Sequence, residues 1–382
     1  MIRRKKITAV FILLTLILFQ NCIREAFRWG SRVGDITYSR DVRFLSPEDL
    51  LLIKESTPDT LIVNGLTENL QKIKTNDILV MGISDSTPCG LLRKVTGVSI
   101  VDSTIKISYT TASLTDAILE GTIRFHEKLL EKDFSLKSKV DEVLVEGPAK
   151  SFDGLAITLD NLEIYNDGTK KATLNGSIGI SPEIDLTISI ESGEIKEIDM
   201  TTTLNRIDEM TISSTGAMSG GKEIVAAEFV HSPVKIDSLT FIPQIAIRCG
   251  FSGSVSGPVT SGVRQDRTIV SCMIYKNGAW TGDPPVHSES WDFSKPQIVD
   301  NSDLRIYSWI DMSTKLCDVP LQTVSSEGFY SLHADKTASP QWTLFIGSEG
   351  SNIINAGILG LSEDYSLNMD VGTSEIANAG NP

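Results

Sequence analysis

Residues 183–192 read "EIDLTISIES", and this stretch decides the fold class. From Ile184 to Ile190 every second position is apolar, and polar residues occupy the positions between them. Successive side chains of a strand point to opposite faces, so the alternation predicts a strand with one buried and one wet face. The residues that would share the buried face are Ile184, Leu186, Ile188 and Ile190. Such a strand is typical of an antiparallel sheet that covers a core from one side.

The same alternation continues through the second half of the chain, interrupted by turn residues at spacings of roughly 8–12 positions. Asn277-Gly278 stands between two apolar runs, which is the strongest short hairpin signal in the sequence. The pattern predicts an antiparallel β-sandwich or open barrel over residues 146–362. Residues 363–382 lose the alternation, and we expect this tail to fray.

Shorter strands and helical segments characterise the preceding unit, residues 35–145. "LLLIKES" and "TLIVNG" flank a "TPD" turn and predict a hairpin. In "SLTDAILEG", Ser113 can cap a short helix that has Asp116 in its first turn. The chain is therefore predicted to be mainly β, with a small N-terminal β-rich (α+β) module followed by a larger antiparallel domain.

The chain begins "MIRRKKITAVFILLTLILFQNC", in which four basic residues precede an apolar run. That run, Ile7–Phe19, is shorter than the ~20 residues that a membrane span needs and suits a signal peptide. The arrangement resembles the signal of bacterial lipoproteins, in which the cysteine becomes the lipidated first residue. The resemblance implies a signal peptide over 1–21, lipid on Cys22 and a tether over 22–34. An uncleaved signal-anchor and a different cleavage site are the alternatives.

A second resemblance covers residues 61–118. The stretch "TNDILVMGISDSTPCGLLRKVTGVSIVDSTIKISYTTASLTDAI" is similar to a module that recurs in secreted and surface proteins of bacteria. "GSIGISPEIDLTISIESGEIKEIDM" and "CMIYKNGAW" also resemble the region that follows this module. These resemblances imply an extracytoplasmic location, at the outer membrane or cell surface, and bring no catalytic residue.

The charge of the chain limits its partners. The formal net charge is −14, and removal of residues 1–21 with their four cations would make it −18. Nucleic acid and anionic headgroups would repel such a surface, so we expect no nucleic-acid partner. The expected partners are the membrane, through the lipid anchor, and a glycan or another envelope protein.

Four cysteines remain if Cys22 carries lipid, which permits two disulfides in an oxidising compartment. Cys249 and Cys272 are symmetric about a Gly/Pro/Ser-rich stretch, so a hairpin folded there would place them opposite each other. The alternatives are two free thiols or a bond between Cys272 and Cys317. The pairing of Cys89 and Cys317 stays open.

Signals for catalysis and for cofactors are weak. The histidines are far apart, and neither a zinc-binding H-E-x-x-H nor a nucleophile elbow G-x-S-x-G occurs. "GAMSGGKE" has part of the Walker spacing, but Glu223 stands where Ser or Thr should bind magnesium. The sequence thus predicts no catalytic residue, no metal site and no cofactor.

Aromatic and acidic residues are interleaved late in the chain. Rings that stack on sugars beside carboxylates that accept hydroxyl hydrogens are typical of a sugar-binding surface, whereas a β core with aromatic rims is the simpler interpretation. The candidate ligand-binding residues are Trp280, Asp283, Glu289, Trp291 and Asp292. We therefore expect a lipid-anchored cell-envelope protein with a structural or ligand-binding role. A secreted carbohydrate-active or other hydrolytic enzyme and a membrane β-barrel are the alternatives.

Overall fold

A computed structural model describes residues 36–146, 154–369 and 372–380. The predicted signal peptide, the lipidation site Cys22 and the tether lie outside the described residues. No helix in the described part of the chain is long and apolar enough to span a membrane.

The N-terminal part of the chain consists of short strands with a few single-turn helices. Its strands are β1 (Thr37–Tyr38), β2 (Val42–Phe44), β3 (Ile53–Ser56), β4 (Thr60–Asn64), β5 (Ile78–Met81), β6 (Leu91–Val101), β7 (Thr104–Thr111), β8 (Ile118–Lys128), β9 (Phe134–Lys139) and β10 (Val143–Glu146). Its helices are α1 (Pro47–Leu51), α2 (Glu68–Gln71), α3 (Leu114–Ala117) and a 3₁₀ turn (Glu131–Asp133).

Long strands make up most of the remaining chain. They are β11 (Leu155–Asn166), β12 (Lys171–Glu191), β13 (Glu194–Ser214), β14 (Met218–His231), β15 (Val234–Ile236), β16 (Leu239–Val255), β17 (Val259–Lys276), β18 (Ala279–Ile298), β19 (Ser302–Leu316), β20 (Val319–Ala334), β21 (Trp342–Ile354), β22 (Tyr365–Asn368) and β23 (Gly372–Asn378). One short helix, α4 (Ala356–Leu359), precedes β22.

The small sheet has the strand order β2-β5-β6-β7-β4-β3. The predicted hairpin is confirmed, because β3 and β4 pair antiparallel with Ile53 opposite Val63. The predicted helix after Ser113 is also confirmed, and Ser113 and Asp116 form a capping box at its start. This sheet has its own apolar core, which includes Leu61.

Two larger sheets pack face to face as a sandwich. The first large sheet has the strand order β1-β8-β12-β13-β17-β18. The N-terminal half of β12 pairs with β11 instead of β8, and β11 pairs in turn with β10. The second large sheet runs β22-β21-β20-β19-β16-β14-β9, with β15 on β16 and β23 on β21. Apolar side chains from both sheets form one continuous core cluster. The predicted mainly β class with an antiparallel sandwich is therefore confirmed.

The stretch that predicted this class lies in β12. Ile184, Leu186, Ile188 and Ile190 are at most 3% exposed. The polar residues between them are partly exposed on the other face. This division is the expected result of a two-residue side-chain period on a sheet with one buried face.

The small sheet ends earlier in the chain than the expected boundary at residue 145. Strand β8 pairs with β12 over Gly121 to Lys128, β9 pairs with β14, and β10 pairs with β11. Residues 118–146 therefore belong to the large sheets and not to the small sheet. Leucine and isoleucine side chains of this segment complete the sandwich core, among them Ile123 and Leu129.

The expectation of a frayed tail over 363–382 is wrong for its described part. Residues 365–368 and 372–378 form β22 and β23, and both pair with β21. Met369 and Ala377 are 2% and 4% exposed. The tail lies at the edge of the sheet, where backbone hydrogen bonds to β21 hold it together with a few core side chains, Met369 and Ala377 among them.

The expected hairpin between β16 and β17 is also wrong. Strand β16 pairs with β14 and β19 in the second large sheet, whereas β17 pairs with β13 and β18 in the first. The Gly/Pro-containing residues 256–258 thus carry the chain from one sheet to the other. Cys249 and Cys272 consequently lie on different sheets as free thiols, so the expected bond between them is a wrong prediction.

Candidate functional site

The five residues proposed for sugar binding all lie on β18, the edge strand that pairs with β17. Trp280 and Trp291 are separated by eleven positions on this strand. At about 3.3 Å per residue they are roughly 36 Å apart along the strand. The five side chains therefore do not converge on one site.

Trp280 packs at the edge of the sandwich. Its ring stacks on Tyr365 of β22, with centroids 5.1 Å apart and planes 8° from parallel. Tyr275 contacts the same ring at a centroid distance of 5.2 Å. Because Trp280 is half-buried against the core, it contributes to packing between the two large sheets.

Trp291 is the exposed aromatic residue of this group, with 46% of its surface accessible. Its register partner is Gln265, whose amide donates a hydrogen bond of 2.7 Å to Glu289. Asp283 and Asp292 are exposed on the same strand. The exposed ring of Trp291 and the hydrogen-bonded carboxylate of Glu289 thus form a smaller candidate surface than the five residues predicted from the sequence.

A larger group of rings and charges lies on the outer face of the second large sheet. We call it the aromatic–arginine face, and its members are Arg248, Arg305, Tyr307, Trp309, Asp311, Glu327, Phe329 and Glu349. Tyr307 lies opposite Phe329, and Trp309 lies opposite Glu327, in the β19–β20 pair. Opposed residues of an antiparallel pair have side chains on the same face and in contact range.

Glycines on neighbouring strands make room for two of these rings. A Cβ on Gly250 would lie 2.6 Å from the Tyr307 hydroxyl and 2.7 Å from its Cζ atom. A Cβ on Gly347 would lie 2.4 Å from Cζ of Phe329. Both rings therefore cover backbone that has no side chain, which keeps them close to the sheet.

Arg305 connects the Phe329 ring to two carboxylates. Its guanidinium carbon is 3.7 Å from the ring centroid, a cation–π contact. Nη2 donates to Glu327 at 2.5 Å and to Glu349 at 2.6 Å. Burial tends to lower the pKa of Arg305, but these hydrogen bonds outweigh it and raise the pKa. Burial raises the pKa of Glu327 above its ordinary value, although Arg305 opposes that shift.

Trp309 and Arg248 share a second carboxylate, that of Asp311. The indole Nε1 of Trp309 donates to Asp311 at 2.7 Å, and Ser325 donates to the same oxygen at 2.7 Å. Arg248 Nη2 lies 2.9 Å from the other oxygen, and its Nη1 lies 3.3 Å from Glu223. The Trp309 ring is thus held in one orientation while its surface stays partly exposed.

The inner face of the sandwich carries a different ionic cluster. Arg206 and Asp208 on β13 are each 1% exposed, and Arg267 on β17 is 5% exposed. Asp208 accepts from Arg206 Nε at 2.5 Å and from Arg267 Nη2 at 2.7 Å. Burial tends to raise the pKa of Asp208, but the two guanidinium groups outweigh it and hold the pKa below its ordinary value.

This inner cluster connects the two large sheets. Arg206 donates to the Ser326 carbonyl at 2.5 Å and to the Ser308 carbonyl at 2.8 Å. A Cβ on Gly328 would lie 1.6 Å from Nη2 of Arg267, so the guanidinium occupies the space that a side chain would fill. Asp208 compensates both buried guanidinium groups, although Arg267 Nε has no hydrogen-bond partner, and the cluster joins the two sheets.

Two further cavities lie at the surface of the sandwich. A cavity of about 410 Å³ is lined by residues that include Tyr165, Gly220, Gly221 and Lys222, and one of about 370 Å³ includes Asn205 and Ser288. Across the described ranges, no three His, Cys, Asp or Glu residues are grouped so as to hold a metal ion.

The residues of the aromatic–arginine face were only partly visible in the sequence. Alternation in "RIYSWID", residues 305–311, indicates that Arg305, Tyr307, Trp309 and Asp311 share a face. The neighbouring glycines and glutamates lie on other strands, and their register is not encoded locally. No protein-family model, curated protein or solved structure matches this chain.

Proposed function

We propose that this protein is a lipid-anchored protein of a bacterial cell envelope that binds glycans through the aromatic–arginine face. The observation that carries the proposal is the Tyr307 ring, which lies over the backbone of Gly250 on the same face as the partly exposed ring of Trp309. Phe329, 7% exposed beneath Arg305, supports these rings from below. Partly exposed rings held close to a sheet offer their faces to the C–H surface of a sugar.

The charged side chains of the face suit a hydroxyl-rich ligand. Glu327, Glu349 and Asp311 supply carboxylate acceptors, and Arg305 and Arg248 supply planar donors with several N–H groups. Because the guanidinium groups already pair with carboxylates, the local charge is balanced and does not select a polyanion. The net charge of −14 likewise disfavours nucleic acid.

The anchor belongs to the same proposal. Four cations, an apolar run and Cys22 make up the expected lipoprotein signal, and the residues after Cys22 would tether the sandwich to the membrane. Full-length protein should partition into the detergent phase, and Cys22→Ser should release it or leave an uncleaved precursor. Detergent partition of a chain that keeps residues 1–21 would instead establish a signal-anchor.

Binding is tested with envelope polysaccharides and a glycan array. Tyr307→Ala and Trp309→Ala should each weaken binding about tenfold or more, since truncated aromatic anchors cost on the order of 2 kcal/mol. The matched control is Trp291→Ala, which removes an exposed tryptophan from β18. Loss of binding in the control with retention in the Tyr307 and Trp309 variants would place the site on β18 and refute the proposed face.

Glycoside hydrolysis is a second candidate function, because one carboxylate pair has a suitable arrangement. Glu327 and Glu349 are register partners and bind the same Arg305 nitrogen, while burial raises the pKa of Glu327. Glycosidases use an acid of raised pKa together with a second carboxylate. Arg305, however, holds both carboxylates, which favours binding. Glycan cleavage that Glu327→Gln abolishes without weakening binding would establish the enzyme.

A further inference from the structure

The small sheet meets the second large sheet at one turn. Arg93 of β6 forms an ion pair with Asp318 in the turn between β19 and β20. A Cβ on Gly90 would lie 3.1 Å from the Thr240 hydroxyl, and Thr240 lies at the start of β16. The loop before β6 therefore lies directly against the ends of β16 and β19.

Two cysteines flank this contact. Cys89 precedes Gly90, and Cys317 precedes Asp318. The Cys317 amide donates to the Thr240 carbonyl at 2.6 Å, so Thr240 contacts Cys317 directly and lies against Gly90, the neighbour of Cys89. Burial raises the pKa of the Cys317 thiol, and the Cys89 thiol adds to this rise, so the two sulfur atoms lie near one another.

The backbone at Cys317 is unusual for this residue type. Its φ is 54°, in the left-handed region that glycine and asparagine occupy most readily. The Cys317 side chain is fully buried, whereas Cys89 is partly exposed. Lys315 and Asp318 both act on the pKa of the Cys89 thiol, in keeping with its position beside the turn.

We infer that Cys89 and Cys317 form a disulfide under oxidising conditions, and that this bond ties the small sheet to the sandwich. The structure holds both as thiols, so the bond is a modification of the protein described here. Cys249 lies in the core between the large sheets, whereas the Cys272 sulfur lies 3.6 Å from the Thr201 hydroxyl on the other side of the first large sheet, so these two thiols do not face each other.

The oxidant is a low-molecular-weight disulfide such as oxidised glutathione. The partly exposed Cys89 thiolate attacks one glutathione sulfur, forming a mixed disulfide and releasing one glutathione thiol. The Cys317 thiolate then attacks the Cys89 sulfur and releases the second glutathione. The two cysteines lose two protons and two electrons in total, and the glutathione disulfide gains them. Burial raises the pKa of both thiols, so the reaction should accelerate as pH rises.

The test is peptide mapping of the purified full-length chain after incubation with oxidised glutathione. Free thiols are alkylated in denaturant before digestion with trypsin. Cleavage after lysine and arginine places Cys89 in peptide 75–93 and Cys317 in peptide 316–336. We expect these two peptides to be joined in most molecules, with Cys249 and Cys272 recovered in alkylated form.

The matched variant is Cys317→Ser, which should leave Cys89 as a glutathione mixed disulfide and abolish the joined peptide. Cys272→Ser is the control and should keep the joined peptide. Wild-type protein in which Cys89 carries glutathione while Cys317 stays alkylatable would overturn the inference, and so would a bond from Cys89 to another cysteine. The readout is independent of glycan binding and of the anchor.

Discussion

Two arginine–carboxylate clusters lie on opposite faces of the second large sheet and contact adjacent residues of β20. Arg206 of the inner cluster donates to Ser326, and Arg305 of the outer cluster donates to the next residue, Glu327. Inside, Asp208 is 1% exposed and has two arginine partners. Outside, Glu349 retains 49% of its side-chain exposure.

The two clusters differ in how far their charges are removed from water. The inner charges have lost their water, so each one depends on the partners that replace it. On the outer face Arg305 and Glu349 still contact solvent, whereas the Glu327 side chain is only 10% exposed. The proposed function assigns ligand binding to this face, so the same residue types stabilise the sandwich on one side and would contact a ligand on the other.

The largest expected effect is the loss of the inner carboxylate. Asp208→Ala leaves Arg206 and Arg267 buried without a counter-charge, and breaking such a pair typically costs about 3–5 kcal/mol. Urea unfolding monitored by fluorescence measures the free energy of unfolding. A loss below about 1 kcal/mol would show that water reaches the cluster and that the inner and outer faces differ less than described.

The second effect concerns the space above Gly328. In Gly328→Ala the new methyl group collides with the Arg267 guanidinium, which Asp208 holds in place, and overpacking of this kind costs roughly 1–3 kcal/mol. Gly97→Ala is the control, because a Cβ there meets no atom within 4 Å. Equal stability of the two variants would show that Arg267 can move away at no cost.

Removal of an outer carboxylate should have a smaller effect. Glu349→Ala breaks a half-exposed ion pair with Arg305, and such pairs contribute about 0–1 kcal/mol. Unfolding of this variant is to be compared with Asp208→Ala under the same conditions. Losses of similar size in both variants would contradict the distinction between the faces.

The smallest expected effect concerns pH: the contributions of Asp208 and Glu327 to the free energy of unfolding should change with pH in opposite directions. The pKa of Asp208 is below its ordinary value, so its stabilising contribution is present above about pH 3.9 and is lost as pH falls through the folded-state pKa. The pKa of Glu327 is raised, so its contribution is present at low pH and is lost as pH rises above about 4.3.

Two variants separate these contributions. Asp208→Asn should reduce the loss in the free energy of unfolding that occurs as pH falls. Glu327→Gln should remove a loss in the free energy of unfolding that occurs as pH rises. The measurement is urea unfolding across this pH range. Parallel pH profiles for the two variants would show that both carboxyl groups titrate in similar environments.

Much of the fold could be predicted because its evidence is local. Alternation at Ile184 to Ile190 specifies a half-buried strand, and Asn277-Gly278 specifies a two-residue turn, which the pairing of Lys276 with Ala279 confirms. The crossing between β16 and β17 could not be predicted, since Gly and Pro mark a turn without specifying which sheet the next strand joins. Pairing of that kind is decided by contacts far apart in sequence.

The candidate site was harder to predict for the same reason. Alternation groups Tyr307 with Trp309, but the glycine under Tyr307 comes from β16 and the carboxylates of Arg305 come from β20 and β21. Trp280 and Trp291 are predicted as ligand-binding residues because aromatic and acidic residues are interleaved around them in the sequence. Whether an aromatic ring packs or binds depends on its neighbours across the sheet, which composition does not reveal.

The fit of Arg267 into the space above Gly328 has a consequence for how the long strands find their alignment. A shift of two residues between neighbouring strands keeps every apolar side chain on the same face, so burial of apolar surface distinguishes such alignments weakly. The shift would move Arg267 away from Gly328 and Arg206 away from Ser326. With Arg206→Met, Asp208→Leu and Arg267→Met combined, we expect stability to persist while amide NMR spectra show several slowly exchanging forms. A single set of signals would show that apolar packing alone selects the native alignment.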